Sequence, residues 1–287
     1  LVLDNASSDE TPEVMASLVS DQRVRYIRNR YNYGPGFNWG SGLLTALGRY
    51  VTFLSADDYF NPGHLARLLP VLQANPNIAV GYTGITWMDG DGRPLNQPRH
   101  PGYYSCDYVG GRNEVADLLI HDNYIAPSAA IFERQALRAS WVPVSNSGAG
   151  DWDMAIQMAE QYPDFAYIDM PGVSYRWHGA QHSQQYFYAS TAPLADHLTI
   201  VESVLKRNAQ HHLKGREREV AAHIERRLAR YPNELHSPMG ERARALMDRL
   251  EALAQFNEAP LFSIVLTTYN RPALLKDALT SIDSQVL

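Results

Sequence analysis

The sequence predicts an α/β protein with a mixed, mostly parallel sheet flanked by helices, followed by a C-terminal helical region. Short apolar runs alternate with segments of helical length over residues 1–87, which is the pattern of layered α/β folds. Several runs end in Asp or Asn, as buried strands do when they lead into a site at the carboxyl edge of a sheet.

Length and composition agree with a folded protein. The chain has 287 residues, of which 45% are hydrophobic and 20% charged, so wholesale disorder is excluded. A net charge of -6 argues against a nucleic-acid partner. A single cysteine, Cys106, excludes an internal disulfide. The sequence has no apolar run of membrane-spanning length and no signal pattern, so we expect a cytoplasmic protein. Because the chain begins with Leu1, we expect a piece or a processed form of a longer protein.

The first half is predicted to alternate strands and helices. The predicted strands are Leu1–Asp4, Val24–Ile27, Arg49–Leu54, Ile78–Trp87 and Ser128–Phe132. The predicted helices are Pro12–Leu18, Phe37–Leu47, Pro62–Gln73, Glu114–His121 and Asp151–Tyr162. Asp89 to Gly92 indicates a hairpin turn, and Pro171-Gly172 a turn between short strands at Ala166–Ile168 and Val173–Arg176.

Residues 194–256 are rich in Arg, Glu, Ala and Leu, and predict long helices broken at Tyr231-Pro232 and Ser237-Pro238. The segment Lys206–Arg230 is basic. We interpret it as a solvated helical face with charges at helical spacing; peripheral contact with the inner face of a membrane is the alternative. The α/β pattern returns with a strand at Phe262–Leu266 and a helix at Ala273–Ser284. The predicted domains are 1–187, 188–260 and 261–287.

Several motifs resemble one enzyme family. They are LVLDNASSDET at the start, Asn32, Gly34, Asn38, Ala46 and Gly48 before YVTFLSADD, Gly150-Asp151-Trp152-Asp153, Tyr175-Arg176-Trp177-His178, and SIVLTTYNRP with a helix through Ser281 and Gln285. With the last of these motifs placed first, their order and spacing resemble those of the inverting family 2 glycosyltransferases of the GT-A fold. The resemblance covers residues 1–183 and 261–287.

The resemblance implies metal-dependent, inverting transfer of a sugar from a nucleotide diphosphate sugar, expected to be a UDP-sugar, to an acceptor hydroxyl in polysaccharide or glycan synthesis. The expected partners are the nucleotide-sugar donor and a glycan or lipid-linked acceptor. The expected cofactor is Mn2+ or Mg2+, because carboxylates that follow a buried strand suit hard cations that bridge a diphosphate.

The expected metal residues are Asp57, Asp58 and His178. The family often has an Asp at the position of Ser55, and this chain lacks it, so we assign the metal chiefly to Asp57. The two aspartates are alternatively helix caps before Pro62, and His178 is alternatively structural.

Asp151 is the expected general base, because a single displacement requires one group to take the acceptor proton. It is also suited to start a helix, and both roles are compatible. Trp152 and Asp153 are expected near the acceptor. Trp87, Trp177, Tyr124 and Tyr186 are further candidates for stacking on sugars, although core packing explains most aromatic residues.

Donor binding is expected from residues at several strand ends. The resemblance assigns base and phosphate contacts to Thr267, Tyr269, Asp4, Asn5, Asn38, Asp57 and Arg176. For Asp4 and Asn5, an ordinary strand-end turn is the alternative, and Arg176 alternatively lies on a strand edge.

One feature departs from the family, because its first strand and helix stand here at the C-terminus. Residues 261–287 either start a second module or complete the domain that begins at Leu1. We predict that Phe262–Leu266 pairs in parallel with Leu1–Asp4, in this chain or in a neighbouring copy, since an unpaired strand edge is costly. Self-association and a second glycosyltransferase module therefore both remain open.

Two other functions are weighed against this one. A sugar nucleotidyltransferase would share the sheet but usually has a glycine-rich basic loop, which TTYNRP lacks. A non-catalytic scaffold of the same fold would be expected to lose its acidic residues, yet Asp57, Asp58 and Asp151 are present.

Overall fold

The computed structural model describes residues 1–97, 100, 102–140, 149–179 and 190–258. Its strands are β1 (Val2–Asp4), β2 (Tyr26–Arg28), β3 (Tyr50–Val51), β4 (Tyr59–Phe60), β5 (Val80–Met88), β6 (Tyr108–Val109), β7 (Ala130–Glu133) and β8 (Phe165–Arg176). Its helices are α1 (Thr11–Leu18), α2 (Pro35–Thr45), α3 (His64–Ala74), α4 (Glu114–His121), α5 (Arg134–Ser140), α6 (Gly150–Gln161), α7 (Ala192–Lys206), α8 (Glu217–Leu228) and α9 (Pro238–Glu258). Short 3-10 turns occupy Pro127–Ala129, Gln210–Leu213 and Pro232–Glu234. The predicted α/β class with a mixed sheet is confirmed.

The described strands form two sheets. β1 and β2 pair in parallel, and the larger sheet has the order β3-β7-β5-β8-β4, with β6 also on β8. In that sheet β5 and β8 run parallel, whereas the other described pairs are antiparallel. The sheet is therefore more antiparallel than expected. Alternation of strands and helices does not fix strand direction when strands are as short as these.

The sequence prediction was wrong at the turn proposed for Pro171-Gly172. The two short strands form one strand, β8, and the β5–β8 register shifts where Gly84 faces Pro171, so the dipeptide lies in a β-bulge. A Cβ at position 172 would overlap Thr83 and His64, which explains the glycine. The strand expected over Arg49–Leu54 is only Tyr50–Val51, and β4 and β6 were not predicted.

The core joins the sheet to helices on both of its faces. A small cluster packs Leu68 and Leu72 of α3 against Ile131 and Ile168. The larger cluster packs the opposite face of the sheet against α4, α6, α7, α8 and α9, and includes Phe132, Leu118, Ile156, Leu198, Val220 and Leu246. Residues 190–258 therefore share one hydrophobic core with the α/β part. Among the described helices, no segment is long and apolar enough to cross a membrane.

The basic segment of the helical region forms ion pairs. Arg216 contacts Asp117, Arg218 contacts Glu251, and Arg207 contacts Glu160. These partners lie on other elements, so the charges join helices together in addition to facing solvent.

A buried carboxyl, Glu114, lies behind the sheet at the start of α4. It accepts hydrogen bonds from the hydroxyls of Tyr124 at 2.5 Å, Tyr82 at 3.4 Å and Tyr108. Burial raises the pKa of Glu114 to about 8, against the opposing effect of the Tyr124 hydrogen bond. The folded protein therefore keeps a proton that the unfolded chain releases near pH 4.5.

This proton predicts a pH dependence of stability. The unfolded state binds fewer protons between pH 4.5 and 8, so the free energy of unfolding should fall as pH rises through that window, by up to about 1.4 kcal/mol per pH unit. Glu114→Gln cannot ionise and should remove this slope in urea unfolding at pH 5 to 8. The exposed Glu10 supplies the control, Glu10→Gln. Equal slopes in wild type and Glu114→Gln would contradict the assignment.

Candidate active site

Two side chains expected to bind metal meet beside the end of β8. His178 Nε2 lies 3.3 Å from Asp57 Oδ2, and both side chains are about one-third exposed. Two ligands at about 2.1 Å and a right angle around a cation lie about 3 Å apart, so this pair fits one divalent ion. Among the described residues no third protein ligand joins them. Mg2+ and similar ions commonly complete their coordination with phosphate oxygens and water.

Asp58 and Arg176 hold the segment that carries Asp57. Asp58 is buried, and its two oxygens accept from the Arg176 backbone N–H at 3.0 Å and from the Ser128 hydroxyl at 2.8 Å. The Arg176 guanidinium donates to the carbonyls of Asp57 at 3.0 Å and Gly90 at 2.8 Å. Both side chains therefore stabilise the loop. Their direct roles with metal and phosphate stay predictions.

A cavity of about 310 Å³ adjoins this loop. Tyr175 and Trp177, which alternate with Arg176 and His178, line it, and so does Pro127, the neighbour of Ser128. The remaining lining residues are Ile85, Trp87, His100, Tyr103, Asp122, Asn123, Tyr124, Ala126, Ala149, Asp151, Trp152, Pro193 and Arg227. Aromatic rings around a few polar groups are typical of a small-molecule site.

Asp151 lies in the first turn of α6 and lines this cavity. Burial raises the pKa of Asp151 to about 6, although hydrogen bonds from the Trp152 backbone and the Asn123 side chain oppose the rise. A carboxylate with a pKa near neutrality is suited to take a proton. The structure thus places the predicted general base on the wall of this cavity.

The two expected acceptor residues differ in position. Trp152 lines the cavity and is fixed by a bond from its Nε1 to the Leu118 carbonyl at 3.1 Å. Asp153 is not among the lining residues: it accepts from Gln157 at 3.0 Å and lies 3.7 Å from Arg207. Of the other aromatic candidates, Trp87, Trp177 and Tyr124 line the cavity, and Tyr186 lies outside the described residues.

The expected nucleotide residues at the start of the chain form a network. Asp4 accepts from the Ser7 N–H at 2.7 Å and the Tyr26 hydroxyl at 2.5 Å. Burial acts to raise the pKa of Asp4, but these bonds and the charge of Arg28 lower it to about 2. Asn5 and Asn38 both bond to Asn29. These residues shape the end of β1, and base binding by them stays a prediction.

Thr267 and Tyr269 lie outside the described residues, as does the predicted pairing of 262–266 with β1. Sequence reasoning missed Asp122, Asn123, His100, Tyr103, Tyr175 and Arg227 as cavity residues. Of these, Tyr175 stands inside a recognised motif. The others carry no local pattern.

The Asp57–His178 pair and the neighbouring cavity lie where strands of the larger sheet end, which is where α/β folds commonly bind ligands. Residues 1–141 match the family model described as Glycosyl transferase family 2. Over these residues the chain therefore contains a glycosyltransferase domain of family 2, and the resemblance of its motifs to that family is confirmed.

Curated relatives agree with this family, and solved structures share the fold. The chain is 41% identical over 71 residues to a Campylobacter jejuni protein named GalNAc(5)-diNAcBac-PP-undecaprenol beta-1,3-glucosyltransferase, covering 24% of this chain and 23% of that protein. S. aureus TarS in complex with UDP-GlcNAc shares the fold at a TM-score of 0.60 and 14% identity, over 93% of this chain and 84% of that one. The structure of GalNAc-T7 with UDP, GalNAc and Mn2+ shares the fold at a TM-score of 0.51 and 14% identity, over 83% of this chain and 51% of that one. The chain spans only 17% to 34% of the length of several curated relatives.

Proposed function

We propose that this protein transfers a sugar from a UDP-sugar to an acceptor hydroxyl, with a divalent metal and inversion at the anomeric carbon. The observation that carries the proposal is the end of β8. Tyr175 and Trp177 line the Asp151 cavity, while Arg176 and His178 contact Asp57. One stretch of backbone therefore joins a suitable diphosphate–metal site to a suitable acceptor site.

The chemistry follows from these positions. Asp57 and His178 would hold Mn2+ or Mg2+, which would neutralise charge on the departing diphosphate. Asp151 would take the acceptor proton as the new glycosidic bond forms. Because its carboxylate lines a cavity that adjoins the Asp57–His178 pair, it is suited to activate a hydroxyl of an acceptor bound there.

The donor and acceptor classes rest on resemblance. UDP or UDP-GlcNAc is bound in the TarS and GalNAc-T7 structures described above, which supports a uridine donor. The name of the C. jejuni relative includes an undecaprenol-linked saccharide, which supports a glycan or lipid-linked acceptor in polysaccharide or glycan synthesis.

A donor screen tests the proposal. With Mn2+ present and water as the acceptor, we expect slow release of UDP and free sugar from at least one of UDP-GlcNAc, UDP-glucose and UDP-galactose. Release from GDP-mannose alone would contradict the uridine donor. Pyrophosphate release from UTP and a sugar 1-phosphate would favour the nucleotidyltransferase. No turnover or binding with any nucleotide would favour the scaffold.

A further inference from the structure

A second carboxylate, Asp122, lines the cavity that holds Asp151. It stands at the end of α4 with φ 65° and ψ -172°, a backbone region that is essentially restricted to glycine and strained for other residues. Such strain persists only where surrounding contacts impose it, and it is concentrated at functional sites. The position of this side chain is therefore imposed by its surroundings.

The contacts that hold the Asp122 side chain in this position come from α8. Asp122 Oδ1 lies 2.7 Å from His223 Nε2 and 2.5 Å from Arg227 Nη2. Arg227 also donates to the Pro193 carbonyl at 2.6 Å, and its guanidinium lies 5.4 Å from the centre of the Trp152 ring. The guanidinium of Arg227 is therefore occupied by contacts within the protein. Among the described residues, the contacts of this carboxylate fall on Oδ1, and the side chain remains 30% exposed.

The Asp122 side chain is ionised at neutral pH. Burial acts to raise the pKa of Asp122, but the hydrogen bond from His223 and the positive charge of Arg227 hold it well below its usual range. Burial also lowers the pKa of His100 on the cavity wall, which favours a neutral ring. With Asp151 ionised and Arg227 paired, the cavity presents acceptor oxygens and aromatic faces.

Asp122 is linked to the proposed base through its neighbour. The Asn123 side chain hydrogen-bonds the Asp151 carboxylate. The residue that follows Asp122 therefore contacts Asp151 directly. Trp87 and Trp177, whose ring centres lie 5.4 Å apart, border the same space. Carboxylates that accept from hydroxyls, next to rings that cover apolar C–H faces, match the chemistry of an uncharged sugar.

We propose that Asp122, held by His223 and Arg227 of α8, is an acceptor-binding residue, and that the acceptor presents an uncharged pyranose to this cavity. The proposal rests on the proposed function and specifies its acceptor class. It also makes α8 a part of the active site, because the partners of Asp122 come from that helix. An anionic acceptor would meet two carboxylates and bind poorly.

Saturation-transfer NMR tests it on the whole chain with UDP and Mn2+ bound. The probes are the methyl glycosides of glucose, galactose and N-acetylglucosamine, and methyl glucuronide as the anionic counterpart. We expect at least one neutral glycoside to bind, and methyl glucuronide to bind about tenfold more weakly. Asp122→Asn, which keeps the shape of the side chain and an oxygen for His223 and Arg227, should weaken the neutral glycoside about tenfold or more.

Two comparisons keep the result decisive. Asp248→Asn removes an equal charge from an exposed position of α9 and should bind like wild type. His223→Gln should weaken glycoside binding less than Asp122→Asn while UDP affinity stays unchanged, which also shows that the variants are folded. Three outcomes would overturn the acceptor proposal and leave the proposed function standing. They are unaltered glycoside binding by Asp122→Asn, stronger binding of the glucuronide than of the neutral glycosides, and a wild type that binds UDP but no glycoside. Failure of wild type to bind UDP would overturn the proposed function as well.

Discussion

Asp151→Asn is expected to lower the turnover of sugar transfer by about a hundredfold or more. The substitution keeps the shape of the side chain and its place at the start of α6, but the amide cannot take a proton from the acceptor. Donor affinity should not change, since no described contact links Asp151 to the Asp57–His178 pair. Turnover is measured as UDP release with acceptor present, and donor affinity by calorimetry with UDP.

The pH dependence gives a second test of the same residue. Because burial raises the pKa of Asp151 to about 6, wild-type turnover should fall as pH drops through 6, where the carboxylate gains a proton. The remaining activity of Asp151→Asn should lack that fall. Asp248→Asn serves again as the charge-matched control. Near-normal turnover in Asp151→Asn would exclude the base assignment, and a collapse of UDP affinity would indicate a structural role instead.

Asp57→Ala is expected to abolish transfer and to remove the effect of Mn2+ on UDP affinity. Wild type should bind UDP at least about tenfold more tightly with Mn2+ than without it, because the cation joins the protein to the diphosphate. The variant loses one of the two proposed ligands and leaves His178 without its partner. Calorimetric titration of UDP, with Mn2+ or with a chelator, measures both proteins.

Asp21→Ala is a suitable control, because Asp21 is paired only with Arg23 at 2.7 Å among the described residues and lies on the surface. It should keep the full metal effect. If wild type binds UDP equally well with and without Mn2+, and Asp57→Ala behaves in the same way, the metal assignment fails. Transfer that depends on Asp151 alone would then be the simplest account.

Sequence reasoning named those candidate residues that stand in motifs resembling the family. Asp57 follows an apolar run and Asp151 stands in the Gly150–Asp153 motif, so both were proposed from the resemblance together with the fold class. His178 was predicted from its motif, although its contact with Asp57 spans 121 positions of the chain. The strand directions were harder to predict from the sequence. Pro171-Gly172 has the composition of a turn, but it forms a bulge within one continuous strand.

The position of Asp122 in the cavity could not be predicted from the sequence. Its partner Arg227 lies 105 positions away, in a helix whose sequence reads as an ordinary charged surface. Only packing of α8 against α4 brings the two side chains together. A long-range ion pair of this kind has no local signature, and neither does the strained backbone that accompanies it.

The bulge in β8 determines which side chains each face of the strand presents near its end. Side chains along a strand alternate between faces, and a one-residue change of register exchanges those faces. Since the bulge lies only a few residues before Tyr175, it sets which of the following side chains face the Asp151 cavity and which face Asp57. An insertion or deletion of one residue there would exchange those two faces, and we expect it to destroy the proposed acceptor cavity and the proposed metal pair together.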